Sequence, residues 1–360
     1  MGDRDQTSAG WAPDRRGSFA AAGLSGFIAF AAVAAILLFG GNPAEAEPPL
    51  PDADPVNPEA TTEARALLRK ICAISGRFTL SGQQNFPEDL ARSSERVQQF
   101  TGLFPAIFGQ DFGFSDFGDR RARMIAEVVR QHRAGGVIAL TWHAPSPTIA
   151  QPANYEESVP SKLTDAEWAD LLTAGTSIYT RWAEQVDEIA AWLQQLAAAQ
   201  VPVLFRPYHE INARWFWWNG RAGGRGSPAL YRQLFERFVH VHRLNNLVWV
   251  WNVNAPSAYA GPIERYYPGH DRVDVLTMDN YCTFRRSFYD RMLVLAGRKP
   301  IALAEVGPVP PIEVLVKQPR WAYFMIWRGF EETNSPDRLR AIFPNVLSRD
   351  DTRLAALAPA

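Results

Sequence analysis

Eight short apolar or β-branched runs recur along the chain, and each stops at a polar or aromatic cluster. They are RFTLSGQQ (77–84), PAIFGQDF (105–112), GGVIALTWH (135–143), VPVLFRPYHE (201–210), NLVWVWNVN (246–254), VDVLTMDNY (273–281), KPIALAEVG (299–307) and WAYFMIWRG (321–329). Between most of them lie stretches of helical period, clearest at 120–133, 176–199 and 230–243. Strands that alternate with helices imply parallel pairing with right-handed crossovers. Eight such units in 360 residues predict an α/β fold, a (β/α)8 TIM barrel with a single catalytic domain. A doubly wound open sheet is the alternative, but no glycine-rich phosphate turn follows the first strand. The glycines of NGRAGGRG (219–226) follow aromatics and read as a loop.

A barrel builds its site at the C-terminal ends of its strands. Here those ends carry Gln83, Asp111, His143, Glu210, Asn252, Tyr281, Glu305 and Trp327. The fourth end is unusual, because VPVLF runs into Arg206, His209 and Glu210 and then into Trp215, Phe216, Trp217 and Trp218. Glu210 and Glu305 close strands four and seven, which face each other across an eight-strand mouth. Glycosidic bond cleavage needs such a pair: one carboxyl donates a proton to the leaving oxygen, and the other attacks or activates water. The aromatic setting of Glu210 suits the acid, and Arg206 or Tyr281 is in reach to keep Glu305 ionised. The bland alternative is a rim ion pair between Arg206 and a glutamate, since structural networks imitate sites. A pyranose packs its apolar face on indole while its hydroxyls seek polar partners. Trp215 and Trp327 are the stacking candidates, and at least one of Trp217 and Trp218 reads as a core anchor.

These residues resemble glycoside hydrolase family 26, whose typical members are secreted β-mannanases on a (β/α)8 barrel. RPYHEINARWFWW is similar to the family's acid/base motif. LSGQQN, GVIALTWHAPSP, WVWNVN, MDNY, ALAEVG and MIWRG follow in the family's order over 61–353. The resemblance implies a retaining mechanism with Glu210 as acid/base and Glu305 as nucleophile. It implies that His209 contacts the sugar or the nucleophile and that Tyr281 hydrogen-bonds the nucleophile. Arg206 would hold the carboxylates, and Trp215, His143 and Trp327 would line the subsite of the reacting sugar. No metal and no organic cofactor are implied. The substrate expected is β-1,4-mannan, glucomannan or galactomannan. Mixed-linkage β-glucan, β-1,3-xylan or a bacterial exopolysaccharide are alternatives within the family, and a non-catalytic glycan-binding protein is the alternative outside it. The chain departs from the pattern at Ile211-Asn212-Ala213-Arg214, where mannanases more often carry a small or neutral residue at the position of Arg214.

Residues 1–46 read as a signal peptide: Arg15 and Arg16 precede an apolar run over 19–39, and Ala44-Glu45-Ala46 offers a cleavage pattern. A membrane tether through residues 19–39 is the alternative. Either places the enzyme outside the cytoplasm, secreted, periplasmic or anchored facing outward. Residues 47–60 read as a proline-rich linker and 61–360 as the catalytic domain. Cys72 and Cys282 form no framework and are expected as separate buried thiols. A net charge of -1 gives no electrostatic reason to expect nucleic acid, and a monomer acting on polysaccharide is expected.

Overall fold

The computed structural model describes residues 54–113 and 118–357. Eight parallel strands close into a barrel in sequence order. They are β1 (Gly82–Gln84), β2 (Ile107–Asp111), β3 (Val137–Trp142), β4 (Val203–Pro207), β5 (Leu247–Asn254), β6 (Val275–Asn280), β7 (Ile301–Val306) and β8 (Trp321–Ile326). Each falls inside one of the eight runs. The ring closes where Gln83 of β1 pairs with Ile326 of β8.

Helix α1 (Thr62–Ile74) precedes the barrel, and α2 (Arg92–Thr101), α3 (Gly118–Arg133), α4 (Tyr155–Ser158), α5 (Asp165–Leu171), α6 (Ser177–Ala198), α7 (Ser227–Glu236), α8 (Arg286–Ala296) and α9 (Ile312–Lys317) lie between strands. The helical period at 230–243 becomes α7 followed by a π turn over Arg237–Val241. The segment after β3 holds α4 and α5. Both begin with a capping box, Asn154 with Glu157 and Thr164 with Glu167, which satisfies amides that a short helix otherwise leaves open. In α6, Thr176 accepts from the amide of Tyr179, and Ile178, Trp182, Val186, Ile189, Leu193 and Leu196 form one buried stripe.

Period-two alternation sorts the strand residues into two cores. Outward residues such as Phe108, Leu140, Phe205, Trp249, Trp251 and Leu303 pack under the helices. Inward residues such as Ile107, Leu204, Val248, Val250, Val275, Ala302 and Ala304 share a second core with Leu67, Leu68 and Ile71 of α1. Gly109 is required there, because a Cβ would stand 2.2 Å from Gln84 Oε1 and 2.5 Å from Met325 Cε.

The inward column changes character toward the C-terminal end. Above the aliphatic layers stand Asp111, Thr141, His143, Arg206, Asn252, Asp279 and Glu305, all buried. Glu305 is there through a break in register. Met278 pairs with Leu303 but Asp279 pairs with Glu305, so Ala304 and Glu305 together face one step of β6. Strict alternation from outward Leu303 would send Glu305 outward as well; the bulge turns it into the mouth.

Of the expected linker, residues 54–60 are described and are fastened to the barrel's N-terminal face. The Val56 amide donates to Asp274 Oδ1 at 2.7 Å and Asn57 Nδ2 to Asn245 Oδ1 at 2.9 Å. The expected signal segment lies outside the described residues, and no described helix is long and apolar enough to cross a membrane. Of the two cysteines, only Cys72 is buried. Cys282 is exposed, contrary to expectation, because it follows Tyr281 past the end of β6, on the rim.

Candidate active site

The turn after β4 sets the geometry. Tyr208 and Glu210 adopt left-handed backbone, with φ of 47° and 52°, a region that costs non-glycine residues roughly 1–3 kcal/mol each. The aromatic run after it holds that turn in place. Trp218 Nε1 donates to the carbonyl of His209 at 2.9 Å, Asn219 Nδ2 to that of Glu210 at 2.9 Å, and Trp217 Nε1 to Ala144 O at 2.8 Å. Phe216 stacks on Trp218 with centroids 4.5 Å apart. Trp217 and Trp218 are therefore both buried struts. Trp215 alone of the three tryptophans is partly exposed, and its indole donates to Glu210 Oε2 at 2.5 Å.

Glu305 receives one donor on each oxygen: Arg206 Nη2 on Oε1 at 2.5 Å and the Tyr281 hydroxyl on Oε2 at 2.6 Å. The sequence left either partner open, and both are engaged. Arg206 Nη1 also donates to Asp279 Oδ2 at 2.9 Å. Asn252 joins the two sides, donating through Nδ2 to Asp279 Oδ1 at 2.7 Å and accepting the Glu210 amide on Oδ1 at 2.6 Å. The carboxyl groups of Glu210 and Glu305 both act electrostatically on Asp279, Tyr281 and Tyr155, so they face one small space. Glu210 is 7% exposed and Glu305 4%, which strengthens every charge interaction among them.

Charge is divided unequally in this network. Burial, then the negative charge of Glu305, push the Asp279 carboxyl well above its ordinary range despite Arg206. Burial opposes the charge on Arg206, but Asp279 and Glu305 outweigh it and hold the guanidinium protonated. Burial and the neighbouring carboxylates also push the Tyr281 phenol well up, so it remains a donor.

A second chain of hydrogen bonds crosses the floor of the mouth. Asp111 accepts from the backbone amide of His143 and contacts His143 Nδ1, and His143 Nε2 lies 3.1 Å from His209 Nε2. Burial would raise Asp111, but the charge and hydrogen bonds of His143 and the amide of Gly113 hold it below the usual carboxylate range. Burial, followed by His143 and Arg206, keeps His209 well below its ordinary value and hence neutral. The partner of His209 here is His143, with Thr141 Oγ1 3.4 Å from its Nδ1. Trp327 stands 6.0 Å from the His143 ring and edge-on to Phe86 at 5.3 Å. Tyr281 is backed by Phe330 at 5.4 Å and by Gly307, where a Cβ would meet the Tyr281 ring at 3.1 Å.

All eight residues singled out in the sequence thus line one mouth: His143, Arg206, His209, Glu210, Trp215, Tyr281, Glu305 and Trp327. Sequence reading missed Asp279, the carboxyl that shares Arg206 with Glu305. Its signal was phase, since Val275, Thr277 and Asp279 alternate on the face that turns inward. It also missed Tyr155 of α4, whose ring lies 6.0 Å from His143. Nothing in that loop distinguishes Tyr155 until the loop is folded. Among the described residues, no group of three or more His, Cys, Asp or Glu side chains is arranged to hold a metal ion.

The sequence pattern of glycosyl hydrolase family 26 matches residues 56–347. A mannan endo-1,4-beta-mannosidase of Thermothelomyces thermophilus is 32% identical over 316 residues, and the match covers 82% of this chain and 62% of that protein. The mannan endo-1,4-beta-mannosidase A and B of Caldalkalibacillus mannanilyticus is 28% identical over 302 residues, covering 75% of this chain and 57% of that protein. The chain therefore spans less than two thirds of the length of these curated relatives. The structure of GH26A from Muricauda sp. MAR_2010_75 superposes with a TM-score of 0.80 at 38% identity, covering 82% of this chain and 98% of that one.

Proposed function

The chain belongs to glycosyl hydrolase family 26, and from that premise we propose that it is a retaining endo-β-1,4-mannanase acting on mannan, glucomannan or galactomannan. The observation that carries the reading is the setting of Glu305, fixed between Arg206 and Tyr281 in the mouth that it shares with Glu210. A carboxylate held at both oxygens and turned in by a bulge suits a nucleophile. In the first step Glu210 gives its proton to the glycosidic oxygen while Glu305 attacks the anomeric carbon. The bond to the departing chain breaks, and a covalent glycosyl-Glu305 ester forms. In the second step Glu210, now ionised, takes a proton from water. The hydroxide equivalent attacks the anomeric carbon, Glu305 leaves as carboxylate, and the β configuration is restored.

The other groups serve these two steps. Asp279, its carboxyl pushed well up, shares the Arg206 guanidinium with Glu305 and fixes its orientation. Asn252 sets the backbone of Glu210, and the Trp215 indole orients its carboxylate. His143 and Trp327 wall the space for the reacting sugar, and neutral His209 is a hydrogen-bond partner that adds no charge there.

Reducing-sugar release from galactomannan, glucomannan, mixed-linkage β-glucan, β-1,3-xylan and cellulose tests the reading, with Glu305→Ala as control. Release from both mannans, lost in the control, is expected. Release from xylan or β-glucan alone would replace the sugar but keep the mechanism. We propose as well that residues 1–46 direct export, on the strength of Arg15, Arg16, the apolar run 19–39 and the Ala44-Glu45-Ala46 pattern. The mass of the mature N-terminus checks this: a start near Glu47 is expected, and an intact N-terminal segment would replace cleavage by a tether.

A further inference from the structure

The loops after β4 and β5 extend the mouth beyond Glu210 and are tied together by Asn212. Its Nδ2 donates to the carbonyls of Asn254 and Gly261, each at 3.1 Å. In return its Oδ1 accepts from the Asn254 amide at 2.8 Å, and its carbonyl accepts from the Gly261 amide at 2.8 Å. The first loop carries exposed Arg214 immediately before Trp215, the residue bonded to Glu210. The second carries Tyr259, 65% exposed, and exposed Arg265.

The two arginines converge. A Cβ at Gly220 would lie 3.7 Å from Arg214 Cγ, and the carbonyl of Gly220 accepts from the Tyr266 hydroxyl at 3.3 Å. Both Arg214 and Arg265 act electrostatically on that hydroxyl. Lys162 adds a third positive charge, its ammonium donating to the carbonyls of Arg214 at 2.8 Å and Phe216 at 3.2 Å. Among the described residues neither guanidinium has a carboxylate partner. Glu264, next to Arg265 in the chain, is held by Arg291, and Asp165, three residues after Lys162, by Arg221. Converging cations without a counter-charge repel one another. A guanidinium fork is shaped to receive a carboxylate on two parallel hydrogen bonds, and the exposed tyrosine of the second loop offers an apolar ring to a sugar face.

We propose that Arg214, Arg265 and Tyr259 form a subsite on the leaving-group side for a sugar bearing a carboxylate, so that this enzyme prefers an acidic β-glycan to a neutral one. The inference rests on the hydrolase reading, with Glu210 as the acid that faces the departing chain. It explains the departure at Arg214, a cation placed one residue from Trp215.

The test compares kcat/KM on glucomannan with that on the same glucomannan after sparse oxidation of its primary hydroxyls to carboxylates. The wild type is expected to cut the oxidised polymer about tenfold better at low salt, and to lose that advantage toward 0.5 M salt, where the Debye length falls to about 4 Å. The Arg214→Ala/Arg265→Ala double variant is expected to cut the two polymers at equal rates, with no preference for the oxidised one. Equal rates of the wild type on both polymers, or a preference that survives in the double variant, overturn the subsite and leave the hydrolase reading intact. If neither polymer is cut, the mannanase reading fails, and affinity electrophoresis of the Glu305→Ala protein decides the subsite separately. Retardation by the oxidised polymer, lost when both arginines are replaced, supports it; no retardation sinks it.

Discussion

Replacing Tyr281 by Phe removes one oxygen from the mouth and tests which step that oxygen serves. The Tyr281 hydroxyl donates to Glu305 Oε2 at 2.6 Å in a partly buried setting, and a hydrogen bond to a charged group contributes about 1.5–3 kcal/mol. At about 1.4 kcal/mol per decade, that is roughly 10- to 150-fold in rate if the whole bond is lost at one transition state. The two steps use it in opposite ways. In glycosylation the carboxylate gives up charge to the anomeric carbon, so a weaker donor leaves it more nucleophilic and offsets part of the loss of orientation. In deglycosylation Glu305 is the leaving group, and losing the donor makes it a poorer one. Hydrolysis of the ester should therefore become the slow step. A dinitrophenyl β-mannobioside followed by stopped flow is expected to release one equivalent of phenolate in a burst, followed by a steady rate lowered 10- to 150-fold, with KM lowered in parallel. Absence of a burst, with the loss carried by KM, would refute this reasoning and make Tyr281 a ground-state contact.

The remaining expectations concern other parts of the mouth and the barrel floor. Glu210→Ala should lose polysaccharide hydrolysis but keep the first step on dinitrophenyl glycosides, whose leaving group needs little protonation; equal loss on both substrates would count against its role as acid. Trp217→Ala should lower stability by about 3–5 kcal/mol in urea unfolding, whereas Trp215→Phe should leave the midpoint nearly unchanged and lower kcat. Asp274, held by the amides of Val56 and Trp249, is pushed by burial up to about 6, above an unfolded value of about 3.9. The folded state binds the extra proton between those values, so the stability from this group is complete below about pH 4 and lost as pH rises through 6. Unfolding free energies of wild type minus Asp274→Asn should fall by on the order of 3 kcal/mol across that window; a flat difference would contradict the assignment.

The barrel and most of the mouth were legible because each strand advertises its end. A run such as VPVLF changes to charge and aromatic rings just where chain leaves the wall, and that change marks the C-terminal face. That Glu210 and Glu305 stand in one mouth was legible for the same reason. Asp279 was not, because an acidic residue after an apolar run looks like ordinary loop polarity until its phase with Val275 and Thr277 is counted. Tyr155 reaches His143 only through the folded path of a long loop, which no local pattern encodes. Trp217 and Trp218 were half legible: four consecutive aromatic residues signal a special site, but which rings face the cleft and which brace it depends on the left-handed turn at Tyr208 and Glu210. The exposure of Cys282 was hidden by its small, apolar character. Only its place beside Tyr281 on the rim accounts for it.

The bulge in β7 makes the proposed nucleophile the product of counting rather than of composition. Let ALAEV keep all its residues but alternate strictly from Leu303, with no bulge, and the strand keeps its apolar character and its neighbours. Glu305 would then point into the shell of helices, where a buried carboxylate has no Arg206 or Tyr281 to meet. The barrel would remain a barrel and the mouth would lose its chemistry. In this fold, a single backbone position decides whether the same list of side chains is a catalyst or a scaffold, and a substitution scan of the mouth would never find it.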